Sequence, residues 1–109
     1  MREKEIEEKF RDAVKRAGGK AYKFVSPGND GVPDRLVILP EGRIGFVEVK
    51  APGRKPTALQ KARIHELESL GCQVLVLDDA GMIPGVLGAI RGEQAEKRGR
   101  RKAGKELET

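Results

Sequence analysis

Two short apolar runs, separated by four turn-forming residues, constrain the fold of this chain more than any other feature. The runs are Arg35–Leu39 (RLVIL) and Ile44–Lys50 (IGFVEVK), and the residues Pro-Glu-Gly-Arg lie between them. β-branched residues on both sides of so short a turn are typical of a β-hairpin. We therefore predict two antiparallel strands joined by a tight turn over Pro40–Arg43.

Apolar spacing and turn-forming residues divide the rest of the chain into helices and strands. One of these helices carries an apolar stripe through Leu59, Leu67 and Leu70, and the uninterrupted run Gln73–Leu77 predicts a strand that is covered on both faces. The further predicted elements are a helix over Glu3–Ala17, a strand over Ala21–Val25, a helix from Thr57 to Gly71, a strand over Gln73–Leu77 and a helix over Met82–Ile90.

The order helix, strand, hairpin, helix, strand, helix indicates an α/β fold with a small mixed β-sheet and flanking helices. The connection from Lys50 to Gln73 is long enough for a right-handed crossover, so we expect the last strand to run parallel to the second hairpin strand. A chain of 109 residues has room for one core. We expect one domain over residues 1–90 and a basic tail over residues 91–109, where apolar residues almost vanish.

Composition excludes several classes of protein. Charged residues make up 36% of the chain, but its Val, Ile and Leu residues are concentrated in blocks, which argues against a disordered chain. No apolar run approaches the roughly 18 residues of a membrane helix, and the first residues lack the apolar core of a signal peptide, so we expect a soluble, cytoplasmic protein. One cysteine and one histidine form neither an internal disulfide nor a zinc finger. Any metal ion must therefore be held by oxygen atoms.

Positive charge is unevenly distributed along the chain. The net charge is +5, and residues 91–109 alone contribute +3. A basic chain of this kind suits a polyanionic partner such as DNA, although the same charge also favours solubility. If the tail binds DNA, we expect it to add salt-sensitive affinity for the backbone without reading the base sequence.

Three charged residues break the apolar pattern of the hairpin. Glu48 and Lys50 share one face of the second strand. The position of the turn sets the pairing of the two strands, so that the numbers of opposed residues sum to about 82 to 84. This register places Asp34 opposite the stretch from Glu48 to Lys50. Two converging carboxylates repel unless a cation lies between them, and oxygen ligands favour Mg²⁺ or Mn²⁺. An ammonium group beside them could hold a water molecule or meet the negative charge that develops on a phosphate. The arrangement predicts phosphodiester hydrolysis.

A simpler structural interpretation exists for the same residues. Asp34 is also a common turn residue after proline, and Glu48 with Lys50 can form an ion pair on one face of a strand. The surrounding sequence favours the catalytic interpretation.

The motif Pro33-Asp34, followed by Glu48-Val49-Lys50, resembles the signature of the PD-(D/E)xK nuclease superfamily. The wider context is similar to the virus-type replication-repair nuclease family, VRR-NUC, over about residues 1–90. That context consists of the run GVPDRL at residues 31–36, the run FVEVKA at residues 46–51, and Gln60 at the start of the next helix.

The resemblance implies a restriction-endonuclease-like core and a metal-dependent nuclease site. Asp34 and Glu48 would bind the ion together with the backbone carbonyl of Val49. Lys50 would position or activate the attacking water. Gln60 belongs to the site by the same resemblance, and it also fits a capping box with the threonine three residues before it.

The resemblance also implies a glutamate on the first helix and a substrate-binding loop before the hairpin. Glu3 and Glu7 are four residues apart on one side of the helix, and we prefer Glu7 as catalytic residue and metal ligand, although both can be ordinary solvated charges. Lys23, Ser26 and Gly28 lie in the loop that precedes the aspartate in the family, where they could contact the substrate backbone, although such a sequence is also common in plain turns.

The expected substrate follows from size and family. A chain with one site makes one cut, whereas a four-way DNA junction requires two matched cuts, which a homodimer supplies. Stand-alone bacterial and phage members of the resembled family act in this way. We therefore expect a Mg²⁺- or Mn²⁺-dependent endonuclease for branched DNA that leaves 5′-phosphate ends, in the cytoplasm of a bacterial or phage-infected cell. The alternatives are a noncatalytic DNA-binding or partner-binding module, a flap nuclease and a sequence-specific nuclease.

Overall fold

The computed structural model describes residues 1–93. The predicted tail, residues 91–109, lies outside the described residues except for its first three. Within the described part, no helix is long and apolar enough to cross a membrane. The elements, in chain order, are α1 (Glu3–Arg16), β1 (Lys20–Lys23), β2 (Arg35–Leu39), β3 (Arg43–Val49), α2 (Ala58–Ser69), β4 (Val74–Leu77) and α3 (Ile83–Arg91), with short 3₁₀ turns over Pro40–Gly42 and Ala80–Met82.

The four strands form one mixed sheet in the order β1-β2-β3-β4. β2 pairs antiparallel with both β1 and β3, whereas β4 runs parallel to β3, as the crossover through α2 predicts. Within the hairpin, Arg35 pairs with Val47 and Ile38 pairs with Ile44, so opposed residue numbers sum to 82. The predicted fold class, the hairpin and its register are confirmed.

One face of the sheet packs against α1 and α3 and forms the hydrophobic core. Alternation along the strands puts Val37 and Leu39 of β2 on this face with Val47 and Val49 of β3, and each is at most 1% exposed. The helices complete the core with one apolar stripe each: Ile6, Phe10 and Val14 from α1, and Ile83, Val86, Leu87 and Ile90 from α3.

The opposite face is covered less completely, and one prediction is wrong here. α2 contacts the sheet mainly along β4, and none of its residues is buried. Leu70 is 76% exposed and Leu59 is 48% exposed. β4 is an edge strand whose first three residues are only half-buried, rather than a strand covered on both faces. Apolar spacing identifies residues that share a face, but it does not identify what packs against that face.

The buried apolar stripe of α1 and the exposed apolar stripe along α2 should differ in their contribution to the free energy of unfolding. We expect Phe10→Ala, which empties a fully buried position, to lower the free energy of unfolding by about 3–5 kcal/mol. Leu70→Ala removes an exposed side chain and should change the same quantity by less than about 0.5 kcal/mol. Urea denaturation followed by circular dichroism gives both values. Similar losses for the two variants would contradict the assignment of the core to the α1 side of the sheet.

Candidate active site

The hairpin brings Asp34 and Glu48 side by side. Asp34 directly precedes β2, and the strand register places it opposite Glu48 in β3. The Asp34 amide donates a hydrogen bond to Glu48 Oε1 at 3.2 Å. The Val49 amide donates to Asp34 Oδ2 at 3.1 Å. Each carboxylate is therefore held by the backbone of the opposite strand.

Glu48 has the most unusual environment of the pair. Its side chain is 1% exposed, and within residues 1–93 its Oε2 atom is buried without a hydrogen-bond partner. Burial, followed by the negative charge of Asp34, raises the pKa of Glu48 to about 7. Lys50, with Nζ 3.6 Å from Glu48 Oε2, opposes this rise. The positive charge of Lys50 does not offset both the burial of Glu48 and the negative charge of Asp34, so the pKa of Glu48 stays raised.

This donor set fits a hard divalent cation. A buried carboxylate oxygen without a partner, next to a second carboxylate, is an arrangement that Mg²⁺ or Mn²⁺ stabilises. Val49, the last residue of β3, lies between Glu48 and Lys50 at the same end of the strand. Among residues 1–93, no third carboxylate, histidine or cysteine joins Asp34 and Glu48 in a metal-ligand cluster.

Lys50 extends the site beyond the end of β3. Its amide donates to the Leu77 carbonyl at 2.8 Å, which ties this position to β4. Its side chain is 15% exposed and pairs with Glu48, and it also lines a cavity of about 580 Å³ together with Glu3. A same-face ion pair is thus present, as the simpler interpretation predicts, but one ammonium group does not account for two adjacent carboxylates.

Glu7 is paired elsewhere. Its carboxylate accepts a hydrogen bond from the Arg35 guanidinium group. Arg35 lies on the core face of β2 in phase with Val37, whereas the hairpin carboxylates lie on the other face. The structure therefore does not bring Glu7 to the two carboxylates. Glu3, the alternative on the same helix, lines the cavity beside Lys50.

Arg35 is a residue that sequence reasoning missed. It is 8% exposed, and in addition to Glu7 it contacts the Ala21 carbonyl, to which it donates at 3.3 Å. It thus connects α1, β1 and β2 at the position next to Asp34. A signal for it was present in the sequence, because an arginine in phase with a core residue such as Val37 requires a buried partner.

Gln60 and Thr57 form the predicted capping box at the start of α2. The Thr57 amide donates to Gln60 Oε1 at 2.9 Å, and the Gln60 amide donates to Thr57 Oγ1 at 3.2 Å. The side-chain Nε2 group of Gln60 makes no hydrogen bond within the described residues. Capping therefore leaves one polar group of this side chain available for a further contact.

Lys23, Ser26 and Gly28 lie at the end of β1 and in the loop that leads to β2. Ser26 Oγ accepts a hydrogen bond from a side-chain amide in the same turn, and Gly28 has a φ of +82°. Arg63 of α2 donates to the Asp30 carbonyl at 2.8 Å. The loop is thus fastened to α2, and contact of these three residues with a substrate stays a prediction.

Comparison with known proteins connects this hairpin to a family. A family model described as the VRR-NUC domain matches residues 2–80, which contain α1, the whole sheet and the carboxylate pair. The chain belongs to the VRR-NUC family. The resemblance indicated by the sequence motifs is confirmed, and the chain is a nuclease domain.

Two similar proteins agree with this membership of the VRR-NUC family. The chain is 58% identical over 78 residues to "Putative nuclease p44" of Acyrthosiphon pisum secondary endosymbiont phage 1, and the alignment covers 72% of this chain and 84% of the phage protein. A solved structure described as a VRR_NUC domain matches with a TM-score of 0.73 and 29% identity, covering 78% of this chain and 92% of the other. The structural match supports the restriction-endonuclease-like fold.

Glu48 makes the stability of the metal-free protein depend on pH. Its folded-state pKa of about 7 lies above the ordinary value of 4.5, so the folded protein holds a proton that the unfolded chain has released. This contribution to stability is complete below about pH 4.5 and is lost as the pH rises through about 7. We expect Glu48→Gln, which keeps the Oε1 acceptor without titrating, to gain stability relative to the wild type across this range, by at most roughly 3 kcal/mol.

Chemical denaturation in EDTA at about pH 5 and about pH 8 measures this difference. Because both proteins share every titrating group outside the carboxylate pair, the comparison reports the coupled pair of Glu48 and Asp34. A difference between variant and wild type that stays constant from the lower to the higher pH would show that Glu48 titrates normally.

Proposed function

We propose that this VRR-NUC domain is a Mg²⁺- or Mn²⁺-dependent endonuclease that acts as a homodimer on branched DNA, such as four-way junctions. The observation that carries the proposal is the buried carboxylate of Glu48 beside Asp34, whose Oε2 atom makes no hydrogen bond within residues 1–93. Membership of the family and the nuclease-named phage relative support a nuclease acting on DNA. The phage relative also supports placing the protein in the cytoplasm of a bacterial or phage-infected cell.

In this proposal Asp34 and Glu48 hold the ion together with the Val49 carbonyl. When bound, such an ion polarises a phosphoryl oxygen and lowers the pKa of water. Lys50 holds the attacking water or its hydroxide, or faces the negative charge that develops on the phosphate. The water oxygen forms a bond to phosphorus, the bond from phosphorus to the 3′ oxygen breaks, and the 3′ oxygen takes a proton. This cleavage leaves 5′-phosphate ends.

The remaining proposed site residues contact the substrate rather than the ion. Gln60 keeps a side-chain amide group available while it caps α2, so it can donate to a DNA phosphate without loss of the cap. Lys23 is exposed beside the loop that holds Ser26 and Gly28, and we assign these three residues to the DNA backbone.

The proposed dimer requires a contact surface, and we propose the exposed face of the sheet for this role. On the face of the sheet away from the core, Tyr22 of β1 is 46% exposed and Ile44 of β3 is 52% exposed. Contiguous apolar surface marks association sites, and we propose that Tyr22 and Ile44 belong to the surface that a second copy covers. A second copy of the chain would bring a second site, and two sites match the two-fold symmetry of a four-way junction.

Cleavage assays with labelled junction, flap and linear duplex DNA test the proposed activity. With Mn²⁺ or Mg²⁺ we expect the wild type to cut the junction, and we expect Glu48→Ala and Lys50→Ala each to reduce the rate by at least about 100-fold. Lys61→Ala, which removes an exposed lysine from α2, is the matched control and should retain activity.

Each alternative predicts a different result in the same assay. DNA binding without cleavage in either ion would indicate a noncatalytic module. Preferential cutting of the flap, or of the linear duplex at one sequence, would replace the junction by that substrate. Activity that survives both site substitutions would reject the proposed site.

Because Glu7 pairs with Arg35, we propose Glu3, the alternative on the same helix, as the helix-borne ligand, although within residues 1–93 neither glutamate joins Asp34 and Glu48 in a cluster. Glu7 neutralises Arg35, so we expect Glu7→Gln to lower the free energy of unfolding by about 1–3 kcal/mol, less than for a fully buried pair because Glu7 is partly exposed. Glu3→Gln should leave stability within about 0.5 kcal/mol of the wild type but weaken Mn²⁺ binding, measured by titration calorimetry. Weaker Mn²⁺ binding by Glu7→Gln alone would return the ligand role to Glu7.

A further inference from the structure

The cavity beside Lys50 has a strongly basic lining. Its volume is about 580 Å³, which is within the usual range for ligand sites. It carries three cationic side chains and one carboxylate, a net charge of +2. The lining residues are Met1, Glu3, Lys50, Ala51, Pro52, Arg54, Lys55 and Thr57.

Arg54 and Lys55 are not neutralised by other side chains of the described protein. Both are exposed, and neither forms an ion pair within residues 1–93. Arg35 and Arg63, in contrast, are paired, Arg35 with Glu7 and Arg63 with a glutamate one turn along α2. The two charges next to the cavity are therefore available to an external anion.

The backbone between β3 and α2 presents these two residues in a defined position. The Arg54 amide donates to the Ala51 carbonyl at 3.0 Å and closes a turn. Pro52 occupies its second position, and Gly53, with a φ of +76°, occupies its third, as a type II turn requires. The capping box at Thr57 fixes the far end of the segment. The backbone of the segment is therefore ordered before a ligand binds, which lowers the entropic cost of binding.

We propose that the segment Ala51–Thr57 is a binding subsite for a DNA backbone phosphate adjacent to the one that is cut, with Arg54 and Lys55 as its ligands. This inference rests on the proposed nuclease function, because Lys50 lines the same cavity and belongs to the catalytic group. A guanidinium group and an ammonium group both match the oxygens of a phosphate. Glu3, which also lines the cavity, repels an anion, so we assign the phosphate to Arg54 and Lys55.

DNA binding in EDTA tests the subsite without any cleavage. Fluorescence anisotropy of two labelled junctions that differ in base sequence is measured over a series of salt concentrations, for the wild type, Arg54→Ala, Lys55→Ala and the double variant. The matched control is the double variant Arg11→Ala/Lys15→Ala, which removes the same two charges from the exposed side of α1.

We expect each single substitution to weaken binding about three- to ten-fold at low salt, equally for both DNA sequences, because phosphate contacts carry no sequence information. The slope of log K against log salt should fall by about 0.9 for each phosphate contact that is lost. The control should keep the slope of the wild type, and titration calorimetry should show unchanged Mn²⁺ affinity for all variants.

Two results would overturn the subsite: a double variant that binds like the α1 control, or a wild type without measurable affinity for either junction. The outcome is independent of catalysis. Weaker binding by Arg54→Ala and Lys55→Ala would support the subsite even if the wild type failed to cut DNA, and efficient cutting with unchanged binding would reject the subsite while leaving the nuclease proposal in place.

Discussion

Two hydrogen bonds across the hairpin define this site. Asp34 donates its amide to Glu48, and the backbone of β3 donates to the Asp34 carboxylate, so each acid is fixed by the strand that carries the other. The arrangement depends on strand register. A shift of one residue would turn Glu48 into the apolar core and Val47 toward solvent, at a cost that the packing of α1 and α3 makes large. The register that builds the core therefore also builds the carboxylate pair.

One face of the sheet packs in the hydrophobic core, and the other face carries the candidate site. The face against α1 and α3 forms the hydrophobic core, and its buried arginine, Arg35, is paired with Glu7. The other face carries the hairpin carboxylates and Lys50, and α2 packs along its β4 edge. Because Asp34 and Arg35 are neighbours in sequence, one residue serves the site while the next anchors the first helix to the same strand. Substitutions at these two positions should thus affect different properties of the protein.

Much of this architecture follows from the sequence, and the limits have physical causes. The turn at Pro40–Arg43 sets the pairing, and alternation along β3 puts Glu48 on the face of Asp34, so the centre of the site is predictable from residue order alone. The exposure of Leu70 and the half-burial of β4 are not predictable, because periodicity does not reveal what opposes a face. The pairing of Glu7 is not predictable either, since it depends on the rotation of α1 over the sheet.

The elevated pKa of Glu48 has a consequence for how such a site is loaded. Near neutral pH a proton occupies part of the population of this carboxyl group, and it must leave before a cation takes its place. If the site binds a divalent cation as proposed, proton and cation compete for the same carboxylate, and mild acidification lowers the apparent affinity for the cation. Through the buried carboxyl group of Glu48, the fraction of protein that holds the proposed cation would then depend on the pH of the solution.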